Sequence, residues 1–158
     1  MDEKVKQSDI TLENDVGVWN LIHHGGIAGS YLGQFKFRCF LTPMQTIEAD
    51  KDFRDLLGPN ASFAASNVEN TAYALAQLRQ RIVSAPPFWT EGAGRYGGGG
   101  IKDQDVLEFV LEAAVVAEVK FRKELAVRHE AALDGIKKLM EKRREEEKVN
   151  QEFETKQE

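Results

Sequence analysis

From about Asp103 to the early 140s the sequence reads as one long α-helix. Leu107, Val110, Ala114, Ala117, Phe121, Leu125, Ala132, Ile136 and Leu139 recur at three- and four-residue intervals, the spacing that lines up side chains on one helical face. Asp103 or Asp105 suits the start, because an acidic residue caps the first amides and complements the helix dipole. Gly135 is a tolerated weak point costing roughly 1 kcal/mol. Carried to Lys148, the helix would be roughly 70 Å long at 1.5 Å per residue, against a radius of gyration of roughly 15 Å for a domain of this size. Such a helix must project, bend back or pair with another chain. Its stretch from Val106 to Phe121 is apolar on more than one face and is expected to pack between elements. From Leu125 to Met140 only a narrow stripe survives, suited to one partner. Beyond Glu141 the charged extension encodes no packing, and the last ten residues are expected to fray.

The remainder of the 158-residue chain is enough for one domain. Residues 1–14 are polar and read as a flexible N-terminus. Val16 to Ile22 reads as a strand, and His24-Gly25-Gly26-Ile27-Ala28-Gly29 as a turn. In the next strand Tyr31, Gly33, Phe35, Phe37, Cys39 and Leu41 fall on one face, with Gln34, Lys36, Arg38 and Thr42 on the other; Leu32 and Phe40 break the alternation. The two strands pair as a hairpin over 16–41, which needs helices or a partner's sheet to be stable.

Thr42-Pro43-Met44-Gln45 is a helix start with a capping box. That helix, about 43–57, has an expected inner face of Met44, Ile47, Phe53, Leu56 and Leu57, with Asp52 outside, and stops at Gly58-Pro59. A second helix is expected over about 60–84, from Asn60 to Ser84, on the stripe Ala64, Val68, Ala72, Leu75, Leu78 and Ile82. Pro86-Pro87 ends it and opens a Pro/Gly-rich loop, 86–100, that becomes a flexible linker. The expected fold is α+β, mostly α: one domain over 15–140 containing the hairpin and three helices, the last (103–140) long and projecting, and a charged helical extension or disordered tail over 141–158.

Charge and composition exclude several function classes. The net charge is −5, opposite to the basic surface of most nucleic-acid binders. Residues Lys137 to Glu158 carry seven Lys/Arg and seven Glu, so the negative excess lies in the body. The single cysteine, Cys39, rules out an intramolecular disulfide and suits a reducing compartment. No apolar run is long enough to span a bilayer, and Met1-Asp2-Glu3-Lys4 does not resemble a signal peptide, so an intracellular protein is expected, which includes a virus product made inside a host.

Candidate chemistry is sparse. Adjacent strand residues point to opposite faces, so His23 and His24 would not share a metal ion, and His129 lies far along the chain. Cys39, between Phe37 and Leu41 on an apolar face, reads as a structural thiol. The glycines before Ile101 lack the Gly-Lys-Ser/Thr of a phosphate loop, and Asp103 and Asp105 would repel phosphate. The acidic residues Glu108, Glu112 and Glu118, with Glu48, Asp50 and Asp52, have the spacing of solvated helix faces. No catalytic, cofactor or metal residue is assigned. Phe88 and Trp89, on a proline-stiffened turn, are expected to plug the core or, less favoured, to anchor a partner, and Trp19 has the same ambiguity. Interaction candidates are Trp19, Tyr31, Phe35, Phe88, Trp89, Phe121, Leu125 and Leu139.

The layout resembles the tail assembly chaperones of tailed bacteriophages. The matching parts, from about Val16 to Leu125, are a Gly-rich hairpin ending in Phe35-Lys36-Phe37-Arg38-Cys39-Phe40-Leu41-Thr42-Pro43 and a short charged helix with Asp52-Phe53-Arg54-Asp55-Leu56-Leu57-Gly58. An Ala/Leu helix ending in Arg81-Ile82-Val83-Ser84-Ala85-Pro86 follows, then a glycine loop into Ile101-Lys102-Asp103-Gln104-Asp105-Val106-Leu107. The resemblance implies a non-enzymatic protein of bacteriophage particle assembly that binds the tape-measure protein and tail-tube subunits in the host cytoplasm. A structural virion component (capsid, neck or tail accessory protein) would share these features, as a homo-oligomer or in a heterocomplex with tail or capsid proteins. The rival from another class is a small enzyme with the 88–96 loop as a lid over a pocket.

Overall fold

The computed structural model describes residues 4–59 and 61–156. The fold is α+β and mostly helical. Strands β1 (Ile10–Glu13), β2 (Val16–Gly25), β3 (Gly29–Arg38) and β4 (Ile82–Ser84) form one antiparallel sheet in the order β1-β2-β3-β4. The helices are α1 (Pro43–Leu57), α2 (Ser66–Arg81), α3 (Pro87–Thr90) and α4 (Gln104–Thr155). A first compact unit runs to Phe121, and a second begins at Arg122.

The expected hairpin is the centre of the sheet. β2 runs to Gly25 rather than stopping at Ile22, because the inward alternation Gly17, Trp19, Leu21 continues through His23 to Gly25. Residues 26–28 turn the chain, and Gly29 at φ +85° takes the left-handed backbone that closes it. Trp19 lies opposite Phe35, and Phe35 stacks on Phe37 at a centroid distance of 5.9 Å.

Two strands were not foreseen, and both correct expected boundaries. Residues 4–14 are not a loose tail: Ile10 is buried, and β1 pairs with β2 from Ile10↔Trp19 to Glu13↔Val16. A side-chain pattern only four residues long has too few turns of either period to be legible. The second helix ends at Arg81, not Ser84, since Ile82–Ser84 pairs with Lys36 and Phe37 of β3. β-branched Ile82 and Val83 ahead of two prolines are better placed in a ladder than in a last helical turn. Asn60, the expected start of that helix, lies outside the described residues. From Ala61 the chain makes a short 3₁₀ turn before α2 begins at Ser66.

α1 starts as expected. The Thr42 hydroxyl accepts from the Gln45 N–H at 3.3 Å, and the Gln45 side chain accepts from the Thr42 N–H at 2.9 Å. Its inner face is different from the one expected: Met44 and Ile47 are exposed, whereas Ala49 and Asp52 are buried. The face is set by α2, which packs Tyr73 edge-on to Phe53 and supplies Arg79 to Asp52.

The inner face of the sheet packs against the first part of α4. Val106, Val110, Ala113, Ala114 and Ala117 are buried, and a Cβ on Gly17 would lie 2.7 Å from that of Ala117. Glycine facing alanine is what lets helix and sheet approach so closely. α4 continues unbroken past Gly135 to Thr155, so of the two alternatives for the charged tail the described residues 141–155 form the helical extension, and the fraying expected of the last ten residues does not begin before Thr155. Every described side chain from Arg122 on is exposed.

The 86–100 segment is not a flexible linker. Trp89 is buried, edge-on to Phe35, and its carbonyl accepts from the Gly98 N–H at 2.7 Å. Gly97 and Gly98 lie flat on the indole, where any Cβ would collide with the ring. The glycines are there for close approach to a tryptophan.

Candidate interaction surface

Two buried carboxylates organise the first unit. Asp103, one of the two acidic residues suited to cap the final helix, instead turns its carboxylate onto the β2–β3 turn. It accepts from the N–H of Ile27 and of Ala28, each at 2.8 Å, and from the Tyr31 hydroxyl at 2.9 Å. These bonds, the Ala28 N–H foremost, hold the Asp103 carboxyl below the usual aspartate range. Burial, followed by the hydrogen bond to Asp103, pushes the Tyr31 phenol up. Gly25 leaves the space the carboxylate fills.

Asp52, expected on an outer face, accepts from Arg79 at 2.6 Å and Arg95 at 3.1 Å, and both guanidiniums lie against the Tyr96 ring. Arg95 and Tyr96 thereby fasten the glycine loop to α1 and α2. Burial, then the Asp52 charge, raises the Tyr96 phenol. A carboxylate already matched by two guanidiniums is a structural clasp.

The clasp anchors the loop, and two grooves elsewhere in the first unit are lined by other residues. One, of about 510 Å³, lies between α2 and α4, over Ala74, Leu107 and Leu111. The other, of about 770 Å³, lies beside β2. Its floor is Trp19, Leu21 and Phe109, and its far wall is the segment Lys4-Val5-Lys6 with Asp9.

This second groove follows from the topology. β1 pairs only with the Val16–Trp19 part of β2, and at Ile10 the chain leaves the sheet through a 3₁₀ turn. Among the described residues, no strand pairs with Asn20–Gly25 on that side. Every second residue there aims its N–H and C=O away from β3. The outer face of the same half-hairpin carries one apolar pair between the polar pairs Asn20–Gln34 and His24–Ser30: Ile22 and Leu32, opposite each other across the strands, are 80% and 62% exposed. At the tip Ile27 is also exposed.

Of the interaction candidates, Trp19, Tyr31, Phe35 and Trp89 are buried core residues and cannot serve as exposed anchors, although one edge of Trp19 lines the groove. Phe88 is half-buried against Tyr31 and Phe35, so the aromatic pair plugs the core. Phe121 is half-buried and stacks on Phe40 at 5.8 Å. Leu125 and Leu139 are exposed, at 49% and 65%. Sequence reasoning missed Ile22, Lys4 and Lys6. Leu32 was visible as a break in the alternation, which is the mark of an apolar residue on a solvent face.

His23 and His24 do point apart: His23 meets Asp105 at 2.7 Å and lies against Phe109, while His24 reaches Ser30 at 3.2 Å. Cys39 is buried. Among the described residues, no group of three or more His, Cys, Asp and Glu is placed to hold a metal ion, and no helix is long and apolar enough to cross a membrane. Compared with models of protein families, with curated proteins and with solved structures, the chain matches none.

Proposed function

We propose that this chain is a non-enzymatic interaction protein of bacteriophage particle assembly, binding tail proteins during tail morphogenesis in the host cytoplasm. The observation that carries the interaction reading is the second part of α4. Its residues from Arg122 are helical and exposed, yet Leu125, Ala132, Ile136 and Leu139 keep a helical stripe, with Met140 at its flank. An apolar stripe is stabilised only when something covers it, and an isolated helix gains most of its stability from such packing. The partner is therefore another chain: a copy of this one, a tail protein, or both. The exposed Ile22–Leu32 pair of the hairpin, with Ile27 at its tip, is a second and smaller apolar patch suited to the same role.

The phage context rests on the layout: the Gly-rich hairpin, the short charged helix, the Ala/Leu helix and the glycine loop before the last helix. Incorporation into the particle as a capsid, neck or tail accessory protein uses the same surfaces. Co-expression with phage tail-tube, tape-measure and capsid proteins, followed by affinity capture and light scattering, tests the reading. A stable complex or homo-oligomer that dissociates when Leu125 and Leu139 are both replaced by serine is expected. A strict monomer that captures none of these proteins would sink it. Finding the chain in purified particles would favour the structural role over the chaperone role.

A further inference from the structure

We propose, building on the interaction reading above, that the groove between α2 and α4 receives the Arg128–Arg143 segment of α4 from a second copy. The apolar stripe of that segment lies inward, and its flanking arginines meet Glu108 and Glu112.

The groove supplies an apolar floor and an acidic rim. Its floor is Ala74 of α2 with Leu107, Leu111 and Val115 of α4. Glu108 and Glu112 line it and no lysine or arginine does; neither carboxylate has an ion-pair partner among the described residues. One turn further along α4, Glu118 is already matched by Arg81 at 2.6 Å. The unbalanced charge of the groove is therefore negative. From Gln104 to Val115 it follows α4 for roughly 16 Å at 1.5 Å per residue, or three turns. A groove flanked by two helices accepts the apolar face of a third.

The stripe supplies the opposite. Ala132, Ile136 and Leu139 share one helical face, with Met140 at its flank, and all are exposed. Arg128 lies four residues before Ala132 and Arg143 four after Leu139, which puts both on that face. At 3.6 residues per turn, the acids between Arg122 and Arg144 (Glu124, Glu130, Asp134 and Glu141) fall on the far side. Arg128 reaches Glu124 at 3.7 Å, an exposed pair of the kind that contributes little. The face thus presents apolar and basic groups and no carboxylate.

A second copy is the occupant because the two surfaces occur once each per chain and match in shape, polarity and charge. The groove is not filled by its own chain's α4, since every described side chain from Arg122 on is exposed. Each copy gives one stripe and accepts one. Such a heterologous contact closes as a pair or a ring, or continues as a filament.

Sedimentation velocity on variants of the full chain tests the contact. Glu108→Lys/Glu112→Lys reverses the groove, and Arg128→Glu/Arg143→Glu reverses the stripe. Each should weaken self-association about tenfold, and the variant carrying all four changes should return to within about threefold of the parent. Should Glu112→Lys disturb the helix by circular dichroism, Val115→Asp, at an exposed position, blocks the groove instead. Mixing Glu108→Lys/Glu112→Lys with Leu139→Ser leaves one working stripe and one working groove, so a 1:1 complex that stops at two chains is expected. Dissociation by Leu139→Ser with indifference to both groove variants would overturn the proposal, because stripe would then pair with stripe. Failure of the four-fold variant to recover, or a monomeric parent, would overturn it too. A monomeric parent that still captures tail proteins would leave the interaction reading standing. Self-association with the expected rescue, but no capture of tail or capsid proteins, would remove the phage context and leave this contact.

Discussion

Helix α4 contains two regions that share a backbone and differ in everything that fixes a side chain. From Gln104 to Phe121 its Val106, Val110, Ala113, Ala114 and Ala117 are buried against a sheet whose Gly17 makes room for them. From Arg122 to Thr155 all its side chains are exposed, although leucine, isoleucine and methionine recur there as well. Helix propensity is high in both. The difference teaches that propensity decides whether the backbone coils, while the surface opposite decides whether the apolar residues on it contribute to this fold or stay exposed.

The comparison breaks most directly at a pair of leucines. Leu107→Ala, in the buried region, should cost roughly 2–5 kcal/mol by chemical denaturation, because it leaves a cavity. Leu139→Ala, in the exposed region, should stay within roughly 0.5 kcal/mol for the isolated chain and act on association instead. Similar losses at both sites would mean that the second region is packed in the monomer.

Gly98→Ala comes next. Gly98 has φ +82°, and a Cβ there would lie 2.6 Å from the Trp89 ring, so about 2 kcal/mol is expected from strain and overpacking together. Quenching or exposure of Trp89 fluorescence in that variant would report the displaced ring. An unperturbed spectrum with full stability would restore the linker interpretation of this loop.

The smallest effect is best read against pH. The folded Asp103 carboxyl titrates below its ordinary range, so its contribution is fully present above the unfolded value and is lost as pH falls through the folded one. Tyr31 is raised, so its contribution holds below the ordinary phenol value and is lost as pH rises through the higher folded one. Asp103→Asn should therefore flatten the acid limb of a Tm–pH curve, and Tyr31→Phe should flatten the alkaline limb. If neither limb changes, the hairpin turn is held by its own backbone and not by α4.

Much of the frame was legible before any coordinates. The hairpin showed in the alternation from Tyr31 to Cys39, α1 in its capping box, and α4 in a stripe long enough to average out single exceptions. The Phe88–Trp89 turn was legible as a core plug from two aromatics on a stiffened chain. β1 and β4 were too short to carry a period, and only pairing with β2 and β3 makes them strands. The burial of Asp52 was invisible for a different reason: a carboxylate on a helix looks solvated until Arg79 and Arg95, distant in sequence, are placed beside it. The groove beside β2 was likewise beyond reach, since it exists because β1 leaves β2 at Trp19 and exposes an edge that no local pattern describes.

The sequence by itself determined that this protein has a long helix and that its apolar stripe thins along its length, because both follow from local spacing and propensity. It also placed the end of the packed stretch near Phe121, where the first compact unit ends; only the tertiary structure decided which surface covers that stretch, and that Asp103 at the helix start turns its carboxylate to the hairpin turn rather than to its own helix. Coverage and hydrogen-bond partnership depend on which surfaces meet, and residues such as Gly17 and Ala117, or Ile27 and Asp103, meet only once the whole chain has folded.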